Sequence, residues 1–184
     1  MTVALLRGTD LVGRPVVSIA SGDDLAEVKD VIFDATQGTI TGFTLRKRGF
    51  LGRRLKDILP VGGVASVGTH AVMVEDDGAL THPDDAPDDT TIDGSRDVLD
   101  DLVITESGRA LGTVRDVIVT GGPAPRVVGF VIAGGSVGDG FIPLGAKRGV
   151  SGSALIVPDD YEGRIRSDLT GFAAVLAGID QGSR

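Results

Sequence analysis

Residues 16–34 read VVSIASGDDLAEVKDVIFD, and residues 102–120 read LVITESGRALGTVRDVIVT. Laid side by side without a gap, they match at Val17 and Val103, Ser21 and Ser107, Gly22 and Gly108, and Leu25 and Leu111. The matches continue at Val28 and Val114, Asp30 and Asp116, Val31 and Val117, and Ile32 and Ile118. With one inserted residue, Gly42-Phe43 falls on Gly129-Phe130, then Leu59-Pro60-Val61 on Ile142-Pro143-Leu144, and Val72-Met73-Val74 on Leu155-Ile156-Val157. Self-similarity kept in order over this distance is the mark of a tandem duplication.

The chain has 184 residues, enough for one ordinary domain or two small ones, and the duplication selects two. The boundaries it sets are 1–76 for the first copy and 98–158 for the second, with a tail over 159–184. Between the copies, residues 75–97 read EDDGALTHPDDAPDDTTIDGSRD, dense in Asp and broken by Pro83 and Pro87. Repelling like charges and proline predict an extended, solvated linker over 77–97. Its acidic run lacks the glycine and terminal glutamate of an EF-hand loop, so no calcium site is expected.

Inside each copy, Val- and Ile-rich runs of strand length alternate with Gly, Asp and Pro turns. They predict strands near 15–20, 25–34, 39–47, 57–61 and 71–75, repeated near 101–105, 110–120, 126–134, 140–144 and 153–157. A sheet of such short strands hides its edges by curling, so the expected fold class is all-β, two small β-barrels in tandem. In the tail, Ser167 stands where an N-cap would. Leu169, Phe172, Ala173 and Leu176 come next at helical spacing, and Gly178 stands where a C-cap would, predicting a short amphipathic helix.

Composition excludes whole function classes. The chain has no Cys, which removes disulfides, thiolate metal sites and thiol nucleophiles together. No apolar run is long enough to span a bilayer, and Arg7, Asp10 and Arg14 interrupt any signal-peptide core, so the expected location is cytoplasmic. The net charge of −8 opposes broad affinity for nucleic acid or anionic membrane.

The segment Leu11-Val12-Gly13-Arg14-Pro15-Val16, with Gly22, Val28, Asp30, Val31, Ile32, Gly42-Phe43, Gly49-Phe50-Leu51-Gly52 and Pro60-Val61, resembles the PRC-barrel domain family. The second copy resembles it through Gly108, Gly112, Val114, Asp116, Val117, Ile118, Gly129 and Pro143, with no counterpart of the opening motif in its sequence. The resemblance implies a small β-barrel of the kind found in the photosynthetic reaction-centre H subunit and in the C-terminal half of the ribosome-maturation factor. It also implies binding in place of catalysis.

One segment reverses the sign of the chain. Arg46, Lys47, Arg48, Arg53, Arg54 and Lys56 surround Phe50 and Leu51. As a contact, this segment would hold an acidic protein surface or, as the alternative, a nucleic-acid backbone, with Phe50 supplying apolar contact or stacking. As the ordinary hairpin of the module, it would fold Phe50 and Leu51 onto the barrel and leave its charges solvated. These eight residues are the candidate partner-binding site, a protein partner being expected before RNA or a ribosomal particle.

Other motifs lead elsewhere. Asp30 and Asp116 occupy equivalent places in separate barrels and read as structural carboxylates accepting backbone N–H groups at a bulge. Gly134-Gly135-Ser136-Val137-Gly138 fits the Gly-x-Ser-x-Gly hydrolase pattern, but a strand comes after it and both His70 and His82 precede it, which is not a nucleophile elbow. No catalytic centre, metal or cofactor is expected. Of the runs Val31-Ile32-Phe33 and Val117-Ile118-Val119, one face fills a barrel. The outward face, Val31 with Phe33 and Val117 with Val119, needs cover from barrel-barrel packing within the chain or from a homodimer.

Overall fold

The computed structural model describes residues 4–34, 38–47, 57–85, 98–135, 138–144, 149–151 and 154–182. It is mostly β, built as two sheets, and the chain divides into two compact units. Unit 1 comprises Met1–Arg96 with Val119–Val127, and unit 2 comprises Asp97–Ile118 with Val128–Arg184.

Unit 1 contains β1 (Leu5–Arg7), a single helical turn α1 (Gly8–Leu11), β2 (Pro15–Ser18), β3 (Asp24–Asp34) and β4 (Thr39–Arg46). Next come β5 (Ile58–Pro60), β6 (Val64–Val67) and β7 (Val72–Val74). The strand order is β5-β4-β3-β2-β7-β6, with β2 and β7 parallel and the other neighbours antiparallel. Alternation of apolar residues sends Val16, Val28, Phe43, Leu45 and Leu59 into one core, each at most 3% exposed. Burying a side chain of this size is worth about 1.5–3 kcal/mol.

The second sheet repeats the plan. Its strands are β8 (Leu102–Thr105), β9 (Ala110–Thr120), β10 (Val127–Ala133), β11 (Gly140–Pro143), β12 (Gly149–Ser151) and β13 (Ala154–Val157). Their order, β11-β10-β9-β8-β13-β12, matches the first sheet strand for strand, including a parallel β8·β13 pair. The bulge also recurs. The register shifts between Val16 and Val17 on β2 and between Val103 and Ile104 on β8.

These registers refine the alignment of the two copies. Val16 pairs with Val72 and Val103 pairs with Leu155, so Val103 corresponds to the fully buried Val16, one residue earlier than the ungapped match to Val17. The slip is absorbed in the next turn, where Ser18 to Ser21 is one residue longer than Thr105 to Ser107. With a two-residue side-chain period, the shift decides which residues face the core.

The opening motif, absent from the second copy by sequence, is present in its backbone. In the first copy, Arg14 N–H donates to the Leu11 carbonyl, Gly13 N–H to Val28, and Val28 N–H to Arg14. In the second, Asp101 donates to Val98, Asp100 to Val114, and Val114 to Asp101. Val12 at φ −62, ψ 129 with Gly13 after it at φ +84 makes a type II turn, which demands positive φ at its third residue. Asp100 takes that place at φ 67, a conformation Asp tolerates better than most residues. Leu11 and Val98 are both fully buried at the start of the turn.

The acidic stretch starts as ordered structure. Asp76 caps a 3-10 turn over Asp77–Ala79 by accepting the Gly78 N–H at 2.8 Å, and Thr81 exchanges backbone hydrogen bonds of 2.9 Å with Ile58 on β5. A second 3-10 turn spans Pro83–Asp85. An extended linker is therefore not what residues 77–85 form, because a side-chain cap and a sheet edge supply partners that solvent would otherwise supply. Residues 86–97 lie outside the described residues.

Unit 2 has the same arrangement after β13. A 3-10 stretch over Asp159–Arg164 leads to Arg166, which bridges Phe141 on β11. Helix α2 (Leu169–Gly182) comes last. Asp168, and not Ser167, accepts the Gly171 N–H at 2.8 Å, and the helix runs through Gly178, which is thus not its C-cap. Leu169, Phe172, Val175, Leu176 and Ile179 are among its less exposed positions. Phe172 is fully buried over Gly129, where a Cβ would stand 2.5 Å from its ring and 2.3 Å from the Ile142 carbonyl. Only glycine allows that approach.

The connection between β9 and β10 lies inside the second sequence copy yet packs as part of unit 1. Gly121 N–H donates to Ala4, Gly122 and Val67 exchange two backbone hydrogen bonds, Val127 N–H donates to Gly38, and Arg126 bridges Thr39. The runs expected to need outside cover are all buried: Val31 is 9% exposed, Phe33 7%, Val117 4% and Val119 0%.

Candidate partner-binding surface

The cationic segment leaves the sheet at the end of β4 and returns at β5, two antiparallel neighbours in which Thr44 stands opposite Ile58. It is the link between adjacent strands. Arg46 is the last residue of β4 and Lys47 comes directly after it, both exposed. Arg48, Phe50, Leu51, Arg53, Arg54 and Lys56 lie outside the described residues.

Arg46 has local company. Its Nε donates to Glu27 Oε2 at 2.8 Å, from the residue directly opposite on β3. The Arg46 side chain is 52% exposed and that of Glu27 20%, so the pair is worth at most about 1 kcal/mol in solvent. A Cβ on Gly13 would stand 3.4 Å from the Arg46 Nη2, so the guanidinium lies against the opening turn whose tip is Val12, 44% exposed. The base of the cationic segment therefore combines a partly neutralised Arg, an exposed Lys47 and an exposed aliphatic side chain.

The two alternating aspartates hold backbone. Asp30 Oδ1 accepts the Val31 N–H and Asp116 Oδ1 accepts the Val117 N–H, each at 2.8 Å. On β3 the register shifts between Val28 and Asp30, leaving Lys29 as the extra residue of a bulge. That bulge turns Asp30 outward, although strict alternation would put it on the face of Val28 and Ile32. Asp116 is 8% exposed.

The Gly134–Gly138 stretch joins β10 to β11, antiparallel neighbours, with Gly134 N–H donating to Asp139 Oδ1 at 3.0 Å. Strand β11, not a helix, comes after it; Ser136 and Val137 lie outside the described residues. His82 Nδ1 lies 3.3 Å from Asp84 Oδ2. Among the described residues, no three His, Cys, Asp or Glu side chains gather as metal ligands.

Sequence reading missed one polar cluster, at the β8–β9 turn. Ser107 N–H donates to Asp159 Oδ1 at 3.0 Å, the Thr105 and Ser107 hydroxyls lie 2.9 Å apart, and Arg109 pairs with Glu162. Hydrogen bonds from the Ser107 hydroxyl, then from its backbone N–H and from Thr105, hold the Asp159 carboxyl below its ordinary value, with Arg109 adding a smaller pull. The first copy places Ser21 Oγ 3.1 Å from Asp77 Oδ1. The shared Ser-Gly of the turns was visible in the sequence, but its acidic partner, about fifty residues away, was not.

The PRC-barrel domain profile matches the chain over residues 5–80 and again over 91–164. The chain belongs to the PRC-barrel family, with two domains in tandem. Among curated proteins, none matches it. No helix among the described residues is long and apolar enough to cross a membrane.

Proposed function

We propose that this chain is a non-enzymatic adaptor of the cytoplasm, in which a tandem PRC-barrel presents its surfaces to an acidic protein partner through the segment Arg46–Lys56. The observation that carries the reading is the concentration of Arg46, Lys47, Arg48, Arg53, Arg54 and Lys56 in one strand connection of a chain with net charge −8. A local cation cluster on an anionic background steers an anionic partner to one place while the rest of the surface repels it. Lys47 and Val12, exposed at the base of the segment, supply charge and apolar contact side by side.

The test is chemical crosslinking of the full chain in native lysate, with mass spectrometry as the readout, beside the double variant Arg53→Glu, Arg54→Glu. The expected result is an acidic partner captured by the wild type and lost by the variant. Capture that survives the charge reversal overturns the reading. Salt-dependent co-sedimentation with ribosomal particles would assign the segment to RNA instead.

A further inference from the structure

A carboxylate stands against the cationic segment where the segment leaves the sheet. Arg46 closes β4, and directly across on β3 is Glu27, whose Oε2 accepts the Arg46 Nε–H. Pro15 on β2 lies on the other side of Glu27, so one row across three strands runs cation, carboxylate, proline. The Arg46 side chain is the more open of the two, at 52% exposed against 20% for Glu27. The guanidinium can be reached from solvent while its carboxylate is partly covered.

The second copy has neither charge. Val28 and Val114 each donate an N–H to the residue after the opening turn, so Glu27 corresponds to Thr113. Arg46 and Ala133 end the strands that come next, at equal distance from the matched Phe43 and Phe130. The connection that begins at Gly134 and ends at Asp139 holds no Lys or Arg. One backbone plan is therefore built with a carboxylate at this register place and without one, and an exposed ion pair adds little to stability. Glu27 is found in the copy that has the cationic segment, which points to a part in what the segment does.

Other carboxylates stand farther from Arg46 in the sheet. Asp30 lies beyond the bulge, its Oδ1 accepting the Val31 N–H. Asp57 precedes Ile58, which pairs with Thr44 on β4. Glu27 differs from both in touching the guanidinium. It cancels much of the field of Arg46 and occupies one edge of its donor fork. An acidic side chain that arrives at Arg46 meets this like charge first.

We propose that Glu27 is a built-in competitor of the acidic partner: it holds Arg46 until a partner carboxylate takes its place, and so sets how densely acidic a surface must be to bind. The inference rests on the reading of Arg46–Lys56 as the site for an acidic partner, and it adds a specificity-determining residue from outside that segment. A surface with scattered carboxylates leaves Glu27 on Arg46, while a dense run of them displaces it.

The test is fluorescence anisotropy of a labelled oligo-aspartate peptide titrated with the full chain, each variant first shown to be folded by circular dichroism. Glu27→Gln removes the charge and keeps an oxygen for the Arg46 Nε–H, and is expected to tighten binding about fivefold. A residue with only a structural part would weaken binding or leave it unchanged. In an Arg46→Gln background the same substitution is expected to change affinity by less than about twofold, because the two side chains act as a pair. Glu75→Gln makes the same change in net charge just past β7, three strand spacings from β4. At about 14 Å it lies beyond the Debye length of about 8 Å, and it is expected to leave affinity unchanged. Peptide binding that is lost in Arg53→Glu, Arg54→Glu but is not tightened by Glu27→Gln overturns this inference and leaves the reading of the segment standing. Tightening that Glu75→Gln matches, or that persists without Arg46, overturns it equally. A wild type that does not bind the peptide, or a double Glu variant that binds it undiminished, overturns the reading of the segment and this inference with it.

Discussion

The two halves of this molecule build one backbone with different residues, and the places where they part company show what the fold requires and what it leaves free. Both need a positive φ at the opening turn: the first copy meets it with Gly13 at +84, the second with Asp100 at +67. Both need a residue after the 3-10 turn to pair with the strand edge, and Thr81 and Arg166 fill that role. Past these two residues the halves diverge. In the second half the chain continues as α2, whose Phe172 seals the sheet over Gly129; in the first, the acidic stretch runs on toward the second copy. Backbone geometry is shared between the copies, while surface chemistry is not.

The most severe way to break this comparison is to remove the feature peculiar to the second half. Phe172→Ala deletes a fully buried ring that also lies 6.1 Å from Phe141, centroid to centroid. It is expected to cost about 3–5 kcal/mol in denaturant unfolding. A loss under about 1 kcal/mol would mean that α2 is an ornament on a self-sufficient sheet.

The opening turns sharpen the comparison at intermediate scale. Gly13→Ala puts a Cβ into a left-handed conformation and toward the Arg46 guanidinium, and is expected to cost about 1–2 kcal/mol. The reciprocal change, Asp100→Gly, relieves the strained φ at the expense of an exposed ion pair with Arg115, and is expected to raise stability by about 0.5 kcal/mol. Thermal unfolding of the two variants against wild type checks both signs; matching signs would show that the turns are not equivalent.

The smallest effect concerns Asp159. Its carboxyl is held below the ordinary value by Ser107, so its contribution is present at neutral pH and is lost as pH falls below the usual carboxylate range through the folded value. Asp159→Asn is expected to lower Tm slightly at pH 7 and to match wild type only in acid below the folded value of Asp159, where both side chains are uncharged. Melting curves at the two pH values measure the difference.

Much of the architecture was legible because duplication makes a sequence its own control. The strand pairs β3/β4 and β9/β10, the turns at Ser21-Gly22 and Ser107-Gly108, and the tail helix can be read from periodicity and repeat alone. The opening turn of the second copy is not legible from identity because only a dihedral angle is required there: Val98-Leu99-Asp100-Asp101 matches Leu11-Val12-Gly13-Arg14 at no position. The short strands β1, β6 and β12 carry too few residues for alternation to register. The N-cap at Asp168 was read one residue early because Ser and Asp are equally good candidates and only the hydrogen bond to Gly171 chooses between them. At the candidate site, charge and position between two strands could be read directly, but the Arg46–Glu27 pairing depends on cross-strand register, which one bulge at Thr41 on β4 shifts and a second at Lys29 on β3 restores.

The hairpin of Val119–Val127 has a bearing on how such a gene can change. Although it is written in the second copy, its backbone satisfies Ala4, Gly38 and Val67 in the first. Deleting either half would strip partners from the other, so what began as two interchangeable modules is now inherited as one. The duplication has closed behind itself, and loss of a single repeat is no longer a neutral step.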